Sequence, residues 1–310
     1  MQRMRISFAL LALSLSACTK QAPDTATPAT PATPEQPGTE ATVDAEAPSD
    51  VWAVALEGSH RSDENKARDQ FRHPKETLQF FGVTPSSNVV ELAPGGGWYT
   101  EILAPLLHEQ GKLTLSVSSP EGPQSYYGTR QTQAFIEKKS AQPDVYGNIE
   151  LAITDSTIET GEDGKVKSIK VNAMDLGPAG SADVVLTFRS SHGWYRREAL
   201  DLAYKAAFDV LKPGGVFGVV QHRAAEGADP SQSAKAGYMP EATIIAAAKA
   251  AGFELGESSE INANPKDTKD YEGGVWTLPP SLSKGETDRD KYLAIGESDR
   301  MTLKFVKPGA

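Results

Sequence analysis

Apolar residues along this chain fall into two rhythms. Short runs of about five, bounded by glycine, proline or polar clusters, fit buried strands, and apolar positions recurring every three or four residues fit helices. The strand-like runs are Asn88–Leu92, Lys112–Val117, Asn148–Thr154, Ala182–Phe188, Val216–Val220, Phe253–Ile261 and Met301–Val306. Helical patterns separate most of them, from about Trp98 to His108, Ser125 to Lys139, Arg196 to Leu211 and Pro240 to Ala251. The Arg196–Leu211 pattern is the clearest, with Leu200, Ala203, Tyr204, Ala207, Phe208 and Leu211 on one stripe. Ahead of the first strand lie a polar helical pattern from about His60 to Arg72 and a short helix opened by Pro74 and closed by Gly82. Glycine-bearing turns between Ile158 and a return strand at Lys167–Val171 predict a small hairpin insertion. Strands alternating with helices imply an α/β fold with a mostly parallel sheet, and the last run would return antiparallel to the sixth.

One stretch breaks this pattern in a chemically useful way. Asn88-Val-Val-Glu91-Leu-Ala93-Pro-Gly95-Gly96-Gly97-Trp98 reads as a strand ending near an acid, then a glycine turn, then a helix. Without Cβ atoms, such a turn lets main-chain N–H groups approach a ligand, and the helix start behind it favours a carboxylate or phosphate. The first crossover of an α/β sheet is where nucleotide-type ligands bind. Glu91 would orient the turn, meet a ligand amino group, or merely cap the next helix. The acid expected near the end of the second strand to hold ribose hydroxyls is displaced or absent, its place taken by Ser118-Ser119-Pro120-Glu121. Reading Gly95 and Gly97 as a dinucleotide fingerprint puts Thr100 where a third glycine or alanine should pack, which argues against a nicotinamide or flavin oxidoreductase.

Chemistry also collects at the ends of the central strands. Arg189, His192, Trp194 and Tyr195 follow the fourth run, and His222 and Arg223 follow the fifth. Adjacent strand ends would open both imidazoles onto one cleft, as candidate proton acceptors, with Arg189 and Arg223 for an anionic substrate group and Trp194, Tyr195 and Trp98 as pocket walls. Each histidine is equally suited to a structural hydrogen bond. Two histidines with Asp175 would also suffice for a divalent metal and a hydrolase, although no local metal motif is present. A third possibility is a binding module without catalysis.

The N-terminus carries a different kind of signal. Arg3 and Arg5 precede an apolar run that ends in Leu15-Ser-Ala-Cys18, a pattern of secretory leaders and too short to span a bilayer. Residues 18–50 are rich in Ala, Thr and Pro and lack the apolar side chains needed to offset ordering entropy, so they read as a tether. Residues 51–310 are enough for one large α/β domain. Cys18 is the sole cysteine, which excludes an intrachain disulfide and a cysteine-ligated zinc. With 41 acidic against 31 basic side chains, the chain is not built to coat nucleic acid or anionic lipid. The pair Gly285-Glu-Thr-Asp-Arg289 and Gly296-Glu-Ser-Asp-Arg300 forms a short near-repeat to which no function attaches.

These motifs carry a family resemblance. Glu91-x-Ala93-x-Gly95-x-Gly97 is similar to motif I of class I S-adenosylmethionine-dependent methyltransferases with its first glycine replaced by alanine, and Leu211-Lys-Pro-Gly-Gly215 resembles their turn before the fifth strand. Arg72-His73-Pro74, Arg189 with His192 and Trp194, and Asn264-Pro265 look like a group of predicted bacterial envelope methyltransferases. The resemblance implies a Rossmann-like, seven-stranded, mostly parallel sheet with an antiparallel C-terminal hairpin. It implies S-adenosylmethionine held by Glu91, Ala93, Gly95, Gly96 and Gly97, with Asp175, or Asp155 in competition, at the adenine. A small-molecule acceptor would meet His192 and His222. Leu-Ser-Ala-Cys18 resembles the bacterial lipobox, implying a lipid anchor on Cys18 as the only membrane attachment, a periplasm-facing envelope protein and, from Thr19, the outer membrane.

Overall fold

Val89 and Val90 face opposite sides of one strand, and that alternation divides the core in two. The structure, a computed structural model, describes residues 50–309. The leader, Cys18 and all but the last residue of the tether lie outside the described residues. The strands are β1 (Asn88–Leu92), β2 (Lys112–Val117), β3 (Glu150–Ile153), β4 (Asp155–Thr160), β5 (Val166–Ala173), β6 (Ala182–Phe188), β7 (Leu211–His222), β8 (Glu254–Ser259) and β9 (Arg300–Val306). Seven of them form one sheet in the order β3-β2-β1-β6-β7-β9-β8, and β4 and β5 form a separate hairpin. The first five of that order run parallel, while β9 is antiparallel to both neighbours.

The helices are α1 (Val51–Glu57), α2 (Asp63–Lys66), α3 (Asp69–Arg72), α4 (Pro74–Phe80), α5 (Thr100–Leu107), α6 (Tyr127–Ala141), α7 (Pro143–Tyr146), α8 (Ser191–Tyr195), α9 (Leu200–Val210), α10 (Pro230–Ser233), α11 (Glu241–Ala251) and α12 (Arg289–Ile295). On one face, Leu78 of α4, Ile102, Leu103 and Leu106 of α5 and Phe135 of α6 bury Val89, Leu113, Leu115 and Leu186. On the other, the stripe of α9 and Ile244 and Ala248 of α11 bury Val90, Val185, Phe217 and Phe305.

The sequence expectations for β1, β2 and β6 hold to the residue, and the α/β class and sheet type are as expected. Three local expectations change. The pattern at 60–72 is two short helices, because Ala67 and Arg68 turn between them. The helix expected from Arg196 starts at Leu200, because Glu198 adopts a left-handed φ of 52° that no helix continues through. The expected strand Val216–Val220 begins instead at Leu211, with Pro213 and Gly214 absorbed as a register shift against β6.

Candidate active site

The glycine turn is held open by its conformation. Ala93, Gly95 and Gly97 have φ of 49°, 60° and 80°, and Ala93 occupies the left-handed region without glycine's freedom. The N–H groups of Gly95 and Gly96 donate to no described residue, whereas that of Gly97 closes the turn on the Pro94 carbonyl at 3.0 Å. Helix α6 lies across this turn through Tyr127, Gln131 and Phe135, which are spaced four apart on one side of the helix.

Beside the turn is a cavity of about 290 Å³, at the small end of the roughly 300–1,000 Å³ typical of ligand pockets. Its walls come from the carboxyl ends of four adjacent parallel strands: Ala93 after β1, Ser118 after β2, Thr154 after β3 and Arg189 after β6. The hairpin supplies a further wall through Ser156, Ile169, Val171 and Met174, and α6 and α8 complete it. No carboxylate lines it.

Of the residues singled out in the sequence, Ala93, Gly95, Arg189, His192 and Trp194 reach this cavity. Glu91 does not line it; the carboxylate is buried behind the turn, where it accepts from Thr100 Oγ1 at 2.6 Å, and burial pushes its pKa up to about 7. Glu91 therefore fixes the start of α5 against the end of β1. Asp175 lines a different depression, with Asn88, Lys112 and Ala182, the first residues of parallel strands, so the opposite edge of the sheet separates it from the turn. Its carboxylate accepts from Gly177 N–H in a local turn. Asp155 is exposed and pairs within the hairpin.

The two imidazoles lie 6.0 Å apart between centroids, yet only His192 faces the cavity. Of the two Gln221 Nε2 protons, one goes to the Gly237 carbonyl at 3.1 Å, and the other faces His192 Nδ1 at 3.3 Å ahead of the His222 carbonyl at 3.4 Å, which sets the amide as a donor toward the imidazole. Nδ1 then accepts, and the imidazole proton belongs on Nε2. Burial lowers the His192 pKa to about 4, so the ring is neutral at pH 7 and presents a donor rather than a base. His222 is partly buried, shares a 2.6 Å hydrogen bond with Ser298 Oγ, and is held well below the usual imidazole range first by desolvation. Its place is structural.

Arg223 is drawn into ion pairs with Asp299 at 3.0 Å and Glu260 at 2.6 Å and does not line the cavity. Trp98 is buried between the guanidiniums of Arg61 and Arg72, and Tyr195 lines a separate groove beside Arg196 and Lys235. Among the described residues no group of three His, Cys, Asp or Glu side chains could hold a metal, and Asp175 is remote from both histidines, so the hydrolase alternative finds no support.

Sequence reasoning missed Tyr126, Tyr127, Gln131 and Phe135. A usable signal existed in the four-residue spacing Tyr127, Gln131, Phe135 on a helix otherwise polar. The hairpin residues carried none, because alternation in an insertion does not reveal what its inner face covers.

No family model matches the chain, and no curated protein matches it in sequence. Solved structures do match. The [4+2]-cyclase SpnF is 15% identical, with 82% of this chain and 86% of that one covered and a TM-score of 0.51. A SAM-dependent methyltransferase from Aquifex aeolicus is 13% identical over 78% and 93%, with a TM-score of 0.47. An S-adenosylmethionine-dependent methyltransferase from Mesorhizobium loti is 14% identical over 75% and 96%, with a TM-score of 0.42. At such identities the likeness is one of fold, and a cyclase among them illustrates that the fold alone does not choose a reaction. The strand order, the antiparallel β9 and the likeness to SpnF give this chain a Rossmann-like α/β fold with a seven-stranded, mostly parallel sheet.

Proposed function

We propose that the cavity binds S-adenosylmethionine and that the protein transfers its methyl group to a small acceptor. The observation that carries this reading is the turn itself. Three alternate left-handed residues, Ala93, Gly95 and Gly97, leave the Gly95 and Gly96 N–H groups without partners among the described residues, Gly95 in the wall of a cavity at four parallel strand ends and Gly96 exposed next to it. Those amides suit the carboxylate of the methionyl portion, and the hydroxyls of Ser118, Thr132 and Thr154 are the groups on hand for the ribose. When bound, S-adenosylmethionine supplies an electrophilic methyl group. The residues of this chain position rather than activate: His192 donates from Nε2, Trp194 excludes water, and no side chain with a pKa near 7 faces the cavity as a base. Positioning alone can supply most of the acceleration such a transfer needs.

A second reading, a ligand-binding module without catalysis, is favoured by one observation. No carboxylate lines the cavity, and Glu121, the nearest acid after β2, is exposed outside it.

Calorimetry with S-adenosylmethionine and S-adenosylhomocysteine tests both. We expect saturable one-to-one binding of each. Binding without label transfer to any offered acceptor would favour the module, and binding of neither would sink the cofactor assignment. We further infer that Cys18 carries a lipid, which would hold the domain at the periplasmic side of the envelope; the lipobox-like Leu15-Ser-Ala-Cys18 supports this.

A further inference from the structure

Arg189 is an arginine without a side-chain partner among the described residues, in the field of two further arginines, Arg68 and Arg300. Its backbone is strained, with φ of 60°, although its N–H is well held by the Val220 carbonyl at 2.7 Å. Non-glycine residues persist in that region when the surroundings over-determine them, and they cluster at functional sites. Its side chain donates to no described residue and forms no ion pair among them, and burial lowers its pKa to about 10. Two carboxylates feel its charge, and both are engaged elsewhere: Glu91 accepts from Thr100 behind the turn, and Glu297 is shared by other arginines. Arg68 meets Glu297 at 2.8 Å, Arg72 at 2.8 Å and Arg300 at 3.2 Å. Arg72 is 0% exposed, and both of its terminal nitrogens are buried without a hydrogen-bond partner. Three guanidiniums thus share one carboxylate, none of the three lines the cavity, and Arg189, which does, stands outside that cluster without a partner among the described residues. Arg189 is partly buried, and an unpaired guanidinium in the wall of a cavity that has no acid in its lining draws an anion.

We propose that Arg189 docks an oxyanion, a carboxylate or phosphate, carried by the small molecule that accepts the methyl group. The inference rests on the methyl-transfer reading for the word acceptor only; the anion site stands on its own geometry. The alternative source of a carboxylate is the methionyl end of the cofactor. That end has the unpartnered amides of Gly95 and Gly96 to receive it, whereas Arg189 follows a different strand and lines the cavity together with His192. Trp194, Met174 and Val171 line the same cavity and suit an apolar body behind the charged group.

The test uses the full chain and simple probes: benzoate and phenyl phosphate against the neutral isostere benzamide, with S-adenosylhomocysteine titrated separately. Wild type is expected to prefer the anions at least tenfold. Arg189→Lys should keep much of that preference, and Arg189→Gln should lose it. Arg189→Gly should lose it while melting no lower than wild type, since glycine relieves the left-handed backbone; that separates binding from folding. S-adenosylhomocysteine affinity should change less than threefold in all three. If it falls together with the anion preference, Arg189 serves the methionyl carboxylate and the proposal is wrong. If wild type binds S-adenosylhomocysteine but does not distinguish benzoate from benzamide, the proposal is again wrong and the methyl-transfer reading survives. An Arg189-dependent anion preference with no S-adenosylhomocysteine binding would overturn that reading and leave the anion site.

Discussion

Gly97 has no room for a methyl group. A Cβ placed there would stand 2.7 Å from two ring carbons of Phe135, on a backbone with φ of 80°. Left-handed strain and overpacking together should cost Gly97→Ala roughly 2–4 kcal/mol. Denaturant titration checks this, and in a Phe135→Leu background the same substitution should cost measurably less. At Gly96, by contrast, a Cβ would make only ordinary contact with Gln131 and Tyr127, and Gly96→Ala should fold normally. Glu91 gives a prediction in pH. Its folded pKa of about 7 lies above the ordinary glutamate value of 4.5, so the native state holds the proton more tightly than the unfolded chain. Its contribution is fully present below pH 4.5 and is lost as pH rises through 7, by roughly 3 kcal/mol. Glu91→Gln, which can still accept from Thr100, should flatten the decline in unfolding free energy across that window; parallel curves for variant and wild type would refute the assignment. Glu91 and the glycines were legible in the sequence because a strand end, a turn and a helix start are local. That Glu91 stays behind the turn was not, since it depends on which way Thr100 faces once α5 docks.

The near-repeat shows the same division between elements. Its two copies are almost identical in sequence, yet Glu286 is exposed in the first and Glu297 is 4% exposed in the second. The second copy leads into β9 and is fixed by it: Glu297 gathers Arg68, Arg72 and Arg300, Ser298 meets His222, and Asp299 meets Arg223 and Lys269. Glu297→Ala would strand three guanidiniums and should cost about 3–5 kcal/mol. Glu286→Ala, its counterpart, should stay within about 0.5 kcal/mol. Comparing the two unfolding midpoints tests whether position in the sheet, not the motif, gives the segment its role. The β4–β5 hairpin teaches a related lesson. Its existence was readable from turn residues and β-branched flanks, but its use as a cavity wall follows from where β3 delivers the chain.

At the scale of the molecule, the leader and the α/β domain carry separate messages. If Cys18 is lipidated, Cys18→Ser should shift the protein from the membrane to the soluble fraction on fractionation, with S-adenosylhomocysteine affinity unchanged; a variant that remains in the membrane fraction would count against the anchor. The sequence by itself determined the alternation of strands and helices, the parallel core, the glycine turn and the antiparallel final strand, because hydrophobic period and turn chemistry act over a few residues. Only the tertiary structure decided which charges and rings share a cavity. It withdrew His222, Arg223, Trp98 and Tyr195 from the cavity, sent Asp175 to the opposite edge and left Arg189 without a partner. The physical reason is that pairing and desolvation depend on groups far apart in the chain, as Glu297 and Arg72 are, and no local pattern encodes which of them meet.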